Sequence, residues 1–152
     1  MNNLFVYLEL LEDSRVAEVS LELLTKGRSL ATQLGCRLEA VAAGCGLEGI
    51  AAQVMPYGVD VLHLFDAEGL YPYTSLPHTS VLVGLFKEEQ PQIALMGATV
   101  IGLNDLNICL FVVTANIIDL TIPAMLQYGI NCSTMVPDMK PIADLHTVTI
   151  DR

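Results

Sequence analysis

Strand-like and helix-like stretches take turns along roughly the first two-thirds of the chain, and this alternation constrains the fold more than any single motif. "NLFVYLEL" alternates and is rich in β-formers, which predicts a first strand over Asn3 to Glu9. A helix follows, with Val19, Leu23, Leu30 and Leu34 near helical spacing and Gly35 as its closing glycine. "CRLEAVAAG" is a second strand ending at Gly44, and "LEGIAAQVMPYG" a short helix stopped by Pro56 and Gly58. "VDVLHLFD" is the third strand. Ser75 to Glu89 forms a third helix, with Val81, Leu82, Leu85 and Phe86 on its apolar stripe and "KEEQ" at its wet end. "PQIALMGA" is the fourth strand. Strands and helices in this rhythm imply βαβ units, so the expected fold is a single α/β domain over residues 1–152: a three-layer, doubly wound, mainly parallel sheet of Rossmann-like type.

The apolar share of 53% and mean hydropathy of +0.53 raise the question of a membrane segment. The longest uncharged apolar stretch, Leu106 to Ile118, has 13 residues including Asn107 and Asn116, short of the ~20 a spanning helix needs. It reads as a buried element, with no membrane insertion. "MNNLFVYLEL" lacks a basic leader region and a cleavage site, so the expected location is cytoplasmic. A net charge of −10, with seven scattered basic residues, argues against a nucleic-acid partner.

No metal site is expected, because Cys36, Cys45, Cys109 and Cys132 are irregularly spaced and His63, His78 and His146 lie far apart in sequence. The thiols read as small buried groups, with redox chemistry at Cys45 the less favoured alternative. His63 reads as a strand side chain and His78 as a residue at a helix start. No nucleophile, base and acid arrangement stands out, so no catalytic residue is assigned.

Three loops fall at predicted carboxyl ends of strands, where such sheets bind ligands: the loop after Glu9, the glycines around Cys45, and Gly97 to Gly102. Gly44, Gly46 and Gly49 fit G-x-G-x-x-G, and Asp66 lies 17 residues after Gly49. The motif follows the second strand rather than the first, however, and Glu48 sets a negative charge among the amides. Close packing of the loop onto the sheet is therefore preferred to dinucleotide binding. In "GATVIG", Gly97, Thr99 and Gly102 are candidate nucleotide contacts within a strand-to-helix turn.

"FVYLE", "VSLELLTKGRSLATQLG", "YGVDVLHLFD", "YTSLPHTSVL" and "GATVIG", in this order and spacing, resemble the N-terminal domain of the electron transfer flavoprotein α subunit. The resemblance covers about the first 102 residues. It implies a fold akin to adenine-nucleotide α-hydrolase-like domains, a noncatalytic role in electron transport, and a partner resembling the β subunit. The cofactor it implies is FAD, held in that family mainly by a separate C-terminal flavin domain, which this chain is expected to lack. Self-association is the other partner expectation, and a freestanding AMP- or ATP-binding module the alternative function.

The resemblance breaks after Gly102. The family continues Arg-Asp-Leu-x-Pro-Arg, whereas this chain reads "LNDLNICLFVVTANIIDL"; Asp105 and Leu106 fit the Asp-Leu after a one-residue insertion, but both arginines and the proline are missing. "NICLFVVTANIIDLTI" suits one buried strand, two short strands or a helix. "PAMLQYGINCS" suits a short helix, and "LHTVTIDR" alternates like a final strand.

Overall fold

A computed structural model of the chain describes residues 3–97, 99, 101, 142 and 144–151. The readings of "NICLFVVTANIIDLTI" and "PAMLQYGINCS", together with Gly102, Cys109 and Cys132, lie outside these residues.

The strands are β1 (Asn3–Leu8), β2 (Arg37–Gly44), β3 (Val61–Asp66), β4 (Ile93–Leu95) and β5 (His146–Asp151), and the helices α1 (Glu18–Leu34), α2 (Ile50–Val54) and α3 (Ser75–Glu89). They form a sheet of order β4-β1-β2-β3-β5, in which the first four run parallel and β5 runs antiparallel to β3. The α/β, three-layer expectation is met. The first strand ends at Leu8, one residue earlier than expected, and α3 spans the expected residues.

The period of two in each strand divides its side chains between two cores. Leu4, Val6, Leu8, Leu38, Ala40 and Leu62 pack with α1 and α2 on one face. Phe5, Tyr7, Val41 and Phe65 pack with Val81, Leu82, Leu85 and Phe86 of α3 on the other. Phe5 stacks on Phe86 with ring centroids 5.7 Å apart.

Helix α1 forms where expected, but the apolar residues at helical spacing are not its buried face. Its buried face is Ser20, Leu24, Gly27 and Ala31, while Leu30 and Leu34 are exposed and Val19 and Leu23 only half-buried. The cause is close approach to the sheet. A Cβ at Gly27 would lie 3.0 Å from Leu38 Cδ1 and 3.1 Å from Val6 Cγ2, so the contact line requires small residues rather than the largest apolar ones. Gly35 closes the helix as expected, at φ 64°.

The amino end of the sheet is held by buried and half-buried ion pairs. Glu39, 3% exposed, accepts from Asn3 Nδ2 at 3.3 Å, meets His63 Nε2 at 2.8 Å and lies 3.7 Å from Arg37 Nε. Burial pushes the Glu39 carboxyl up, but hydrogen bonds from His63 and Asn3 and the charges of His63 and Arg37 together hold it below its ordinary value. Asp60 accepts from the Leu38 N–H and from Arg28 Nη1, each at 2.8 Å. Burial raises its carboxyl too, and these hydrogen bonds with the Arg28 and Arg37 charges outweigh that and lower it.

No helix among the described residues is long and apolar enough to cross a membrane.

Candidate functional site

The chain builds β1, β2 and β3 outward in one direction and then returns to place β4 on the other side of β1. The crevice between the carboxyl ends of β1 and β4 is therefore the topological switch point, where doubly wound sheets hold ligands. Glu9 reaches it from β1, and Gly97 and Thr99 from β4.

Glu9 is 5% exposed and fixed by its backbone, with its N–H donating to Ser20 Oγ at 2.9 Å and its carbonyl accepting from the Ala17 N–H at 2.8 Å. The Thr99 hydroxyl lies 2.7 Å from each oxygen of the Glu9 carboxylate. Gly97 is buried against the same group. A Cβ there would crowd the Glu9 carboxylate and approach Val19 Cγ2 to 3.3 Å, so a side chain at this turn requires Glu9 to move from its bond with Thr99. The structure thus brings Gly97 and Thr99 together around a buried carboxylate. Glu9 was not singled out by sequence reasoning, although an acidic residue closing an alternating strand was the available signal.

The second glycine loop is likewise faced by a carboxylate. Asp66, at the end of β3, accepts from the Gly46 N–H at 3.0 Å and the Leu47 N–H at 2.9 Å. These two amides are the kind of donors a phosphate would use, and the chain's own anion holds them. The residue whose offset suggested a ribose contact instead caps the loop, in line with the packing role preferred for the G-x-G-x-x-G stretch. Cys45 in this loop is a half-buried free thiol whose carbonyl accepts from Ser14 Oγ at 3.4 Å, and Cys36 is a half-buried free thiol far along the fold.

His63 lies in β3 and is bound to Glu39, far from the carboxyl-end loops. His78 sits in the first turn of α3, as expected, but is 4% exposed. Its Nε2 lies 2.9 Å from the Leu70 carbonyl, which only accepts, so Nε2 carries the proton. In the neutral ring Nδ1 then accepts from the Tyr7 hydroxyl at 2.9 Å. Tyr73 packs edge-on against the His78 ring at 4.7 Å. Tyr7 and His78 form part of the floor of a cleft of about 340 Å³ that opens at the carboxyl ends of β1 and β2. Among the described residues no group of three His, Cys, Asp or Glu side chains is arranged to hold a metal ion.

Comparison with known proteins gives a match to the electron transfer flavoprotein domain over residues 5–110. The chain is 38% identical over 104 residues to Protein FixB of Rhizobium meliloti, an overlap of 66% of this chain and 29% of that protein. It is 36% identical over 90 residues to the electron transfer flavoprotein subunit alpha of Clostridium acetobutylicum, covering 59% of this chain and 27% of that one. It is 33% identical over 90 residues to the acryloyl-CoA reductase electron transfer subunit beta of Anaerotignum propionicum, covering 59% and 24%. The chain thus spans less than a third of the length of these curated relatives.

Proposed function

The chain belongs to the electron transfer flavoprotein domain family, and from that premise we propose that residues 1–152 act as one α-subunit-like scaffold domain in electron transport. Its task is noncatalytic: it associates with a β-subunit-like protein and helps to set the framework around a flavin held elsewhere in the assembly. The observation that carries the scaffold assignment is that Glu9 and Asp66 face the donors of both glycine loops.

FAD, the cofactor of this family, brings a pyrophosphate, which calls for free amides and cations. The groups described here do not suit it. Two amides are held by Asp66, the Thr99 hydroxyl faces Glu9, and Arg15, the described cation nearest in sequence to Glu9, is bonded to Asp13 at 2.5 Å. On this reading the flavin is held by other residues.

The partner surface we favour is the β5 side of the sheet. Strand β5 is outermost among the described strands, and His146, Thr147, Val148 and Thr149 are exposed on it. An exposed outer strand with β-branched residues is suited to pairing or to face packing. Self-association through this strand is the competing use of the same surface. Co-expression with a β-subunit-like protein of the family separates them: a one-to-one heterodimer weakened by Val148→Lys supports the reading, and a chain that stays alone or pairs only with itself contradicts it.

A second reading keeps Gly97, Thr99 and Gly102 as contacts for AMP or ATP. Its support is the position of Gly97 and Thr99 at the switch point, and the buried Glu9 carboxylate stands against a phosphate there. Saturable stabilisation by AMP or ATP that disappears in Thr99→Val would carry it forward.

A further inference from the structure

The cleft at the carboxyl ends of β1 and β2 borders both glycine loops, through Gly44, Cys45 and Ile101, and has no part in the scaffold role. Its floor is Tyr7, Ala43, Leu70 and His78, all nearly fully buried. Tyr71 and Tyr73 form a wall, and Leu11, Glu12 and Ser14 stand at the mouth. Two observations set it apart from an ordinary surface depression. Tyr71 is 57% exposed and Leu11 47%, so two of the largest exposed apolar side chains rim one opening. Ser14 holds a left-handed backbone at φ 59°, a conformation unusual for a residue with a side chain, and its Oγ donates to the Cys45 carbonyl inside the same cleft.

The chemistry of the lining selects the ligand. Aromatic faces favour a flat ring, and a volume of about 340 Å³ suits one of few rings. No Lys or Arg is among the described lining residues, whereas Glu12 is, so these residues offer a phosphate no counter-charge and one repelling carboxylate. That carboxylate accepts hydrogen bonds, and so favours an uncharged ligand that presents N–H or O–H donors at the mouth. The Tyr7 and His78 polar atoms are already bonded to each other and to Leu70, which leaves the floor apolar in effect.

We infer that this cleft binds an uncharged, planar nitrogen heterocycle of nucleoside size through stacking on Tyr71 and Tyr73, with its sugar hydroxyls toward Glu12. The site is independent of the scaffold role, and differs from a switch-point nucleotide site in rejecting the phosphate rather than gripping it.

The test titrates the whole chain with adenosine and with AMP by calorimetry, with guanosine and cytidine as further neutral probes. Adenosine is expected to saturate one site, and AMP to bind about 3- to 5-fold more weakly, since the phosphate meets the exposed Glu12 carboxylate at the mouth. Tyr71→Leu should weaken adenosine about 5-fold or more through loss of ring stacking. Glu12→Lys should reverse the preference and make AMP the tighter ligand. Both side chains are exposed, and an unchanged melting temperature of each variant verifies the fold. The proposal is overturned if none of the neutral probes saturates, or if AMP binds more tightly than adenosine to the unaltered chain. It is equally overturned if Tyr71→Leu leaves adenosine binding intact, or loosens a β-subunit-like partner while no nucleoside binds, which would make the cleft a protein contact. Dependence of AMP on Thr99 rather than on Tyr71 would assign nucleotide binding to the switch point instead.

Discussion

At the amino end of the sheet the carboxylates of Glu39 and Asp60 face cationic side chains, Arg37 and Arg28, and the ring of His63; at the carboxyl end those of Glu9 and Asp66 face neutral amides and a hydroxyl. The same residue type does two jobs. Paired with cations, a buried carboxylate clasps neighbouring strands. Set against neutral donors, as Glu9 is at the switch point and Asp66 at the end of β3, it holds groups an anionic ligand would need and adds a charge that repels one. A carboxyl end arranged in this way is what the proposed scaffold role requires and what a phosphate site would avoid.

The largest effect that would break this comparison lies at the amino end. His63→Ala leaves Glu39 buried without its closest partner and should cost about 2–4 kcal/mol in urea unfolding. A loss below about 1 kcal/mol would mean that the pair is not a clasp. Acid sharpens the same point. The Glu39 and Asp60 carboxyls are lowered in the folded chain from ordinary values of 4.5 and 3.8, so their stabilisation is complete above those values and fades as pH falls through the lower folded ones. Glu39→Gln, Asp60→Asn is expected to be less stable than the parent near neutrality and to lose less on going from pH 5 to 2.

At the carboxyl end, Gly97→Ala drives a methyl into the Glu9 carboxylate and toward Val19, and should destabilise by about 1–3 kcal/mol. Restoration by Glu9→Ala in the same chain would identify Glu9 as the obstacle. The smallest effect belongs to Asp66. Asp66→Ala releases the Gly46 and Leu47 amides and should cost about 1 kcal/mol. If Asp66 stands in for an anion, sulfate or phosphate should then raise the melting temperature of this variant more than that of the parent, and equal responses would refute the stand-in role.

Much of the fold was legible because the parallel strands are short apolar runs bounded by glycine and polar residues, as in "VDVLHLFD", and because α3 carries a continuous apolar stripe. The face of α1 was not. Its buried face is Ser20, Leu24, Gly27 and Ala31, three of them small because the helix lies close to the sheet, and the spacing of Val19, Leu23, Leu30 and Leu34 does not mark it. The site was less legible than the fold. Gly97 and Thr99 could be picked out as a turn, yet their partner Glu9 is some 90 positions away, and only the return of β4 beside β1 brings them together. Glu39 and His63 meet because Glu39 precedes Val41, the register partner of His63, along one face of the sheet, and no local pattern encodes that register. Asp66 showed the right offset for a ligand contact, but the offset alone does not say whether its carboxylate meets a ribose or the loop's own amides.

In the proposed role the domain supports a flavin assembly without itself holding the flavin. Equilibrium dialysis of the isolated 152-residue chain against low micromolar FAD tests it most directly. The expected result is no saturable retention of flavin; retention of one equivalent per chain would contradict the account.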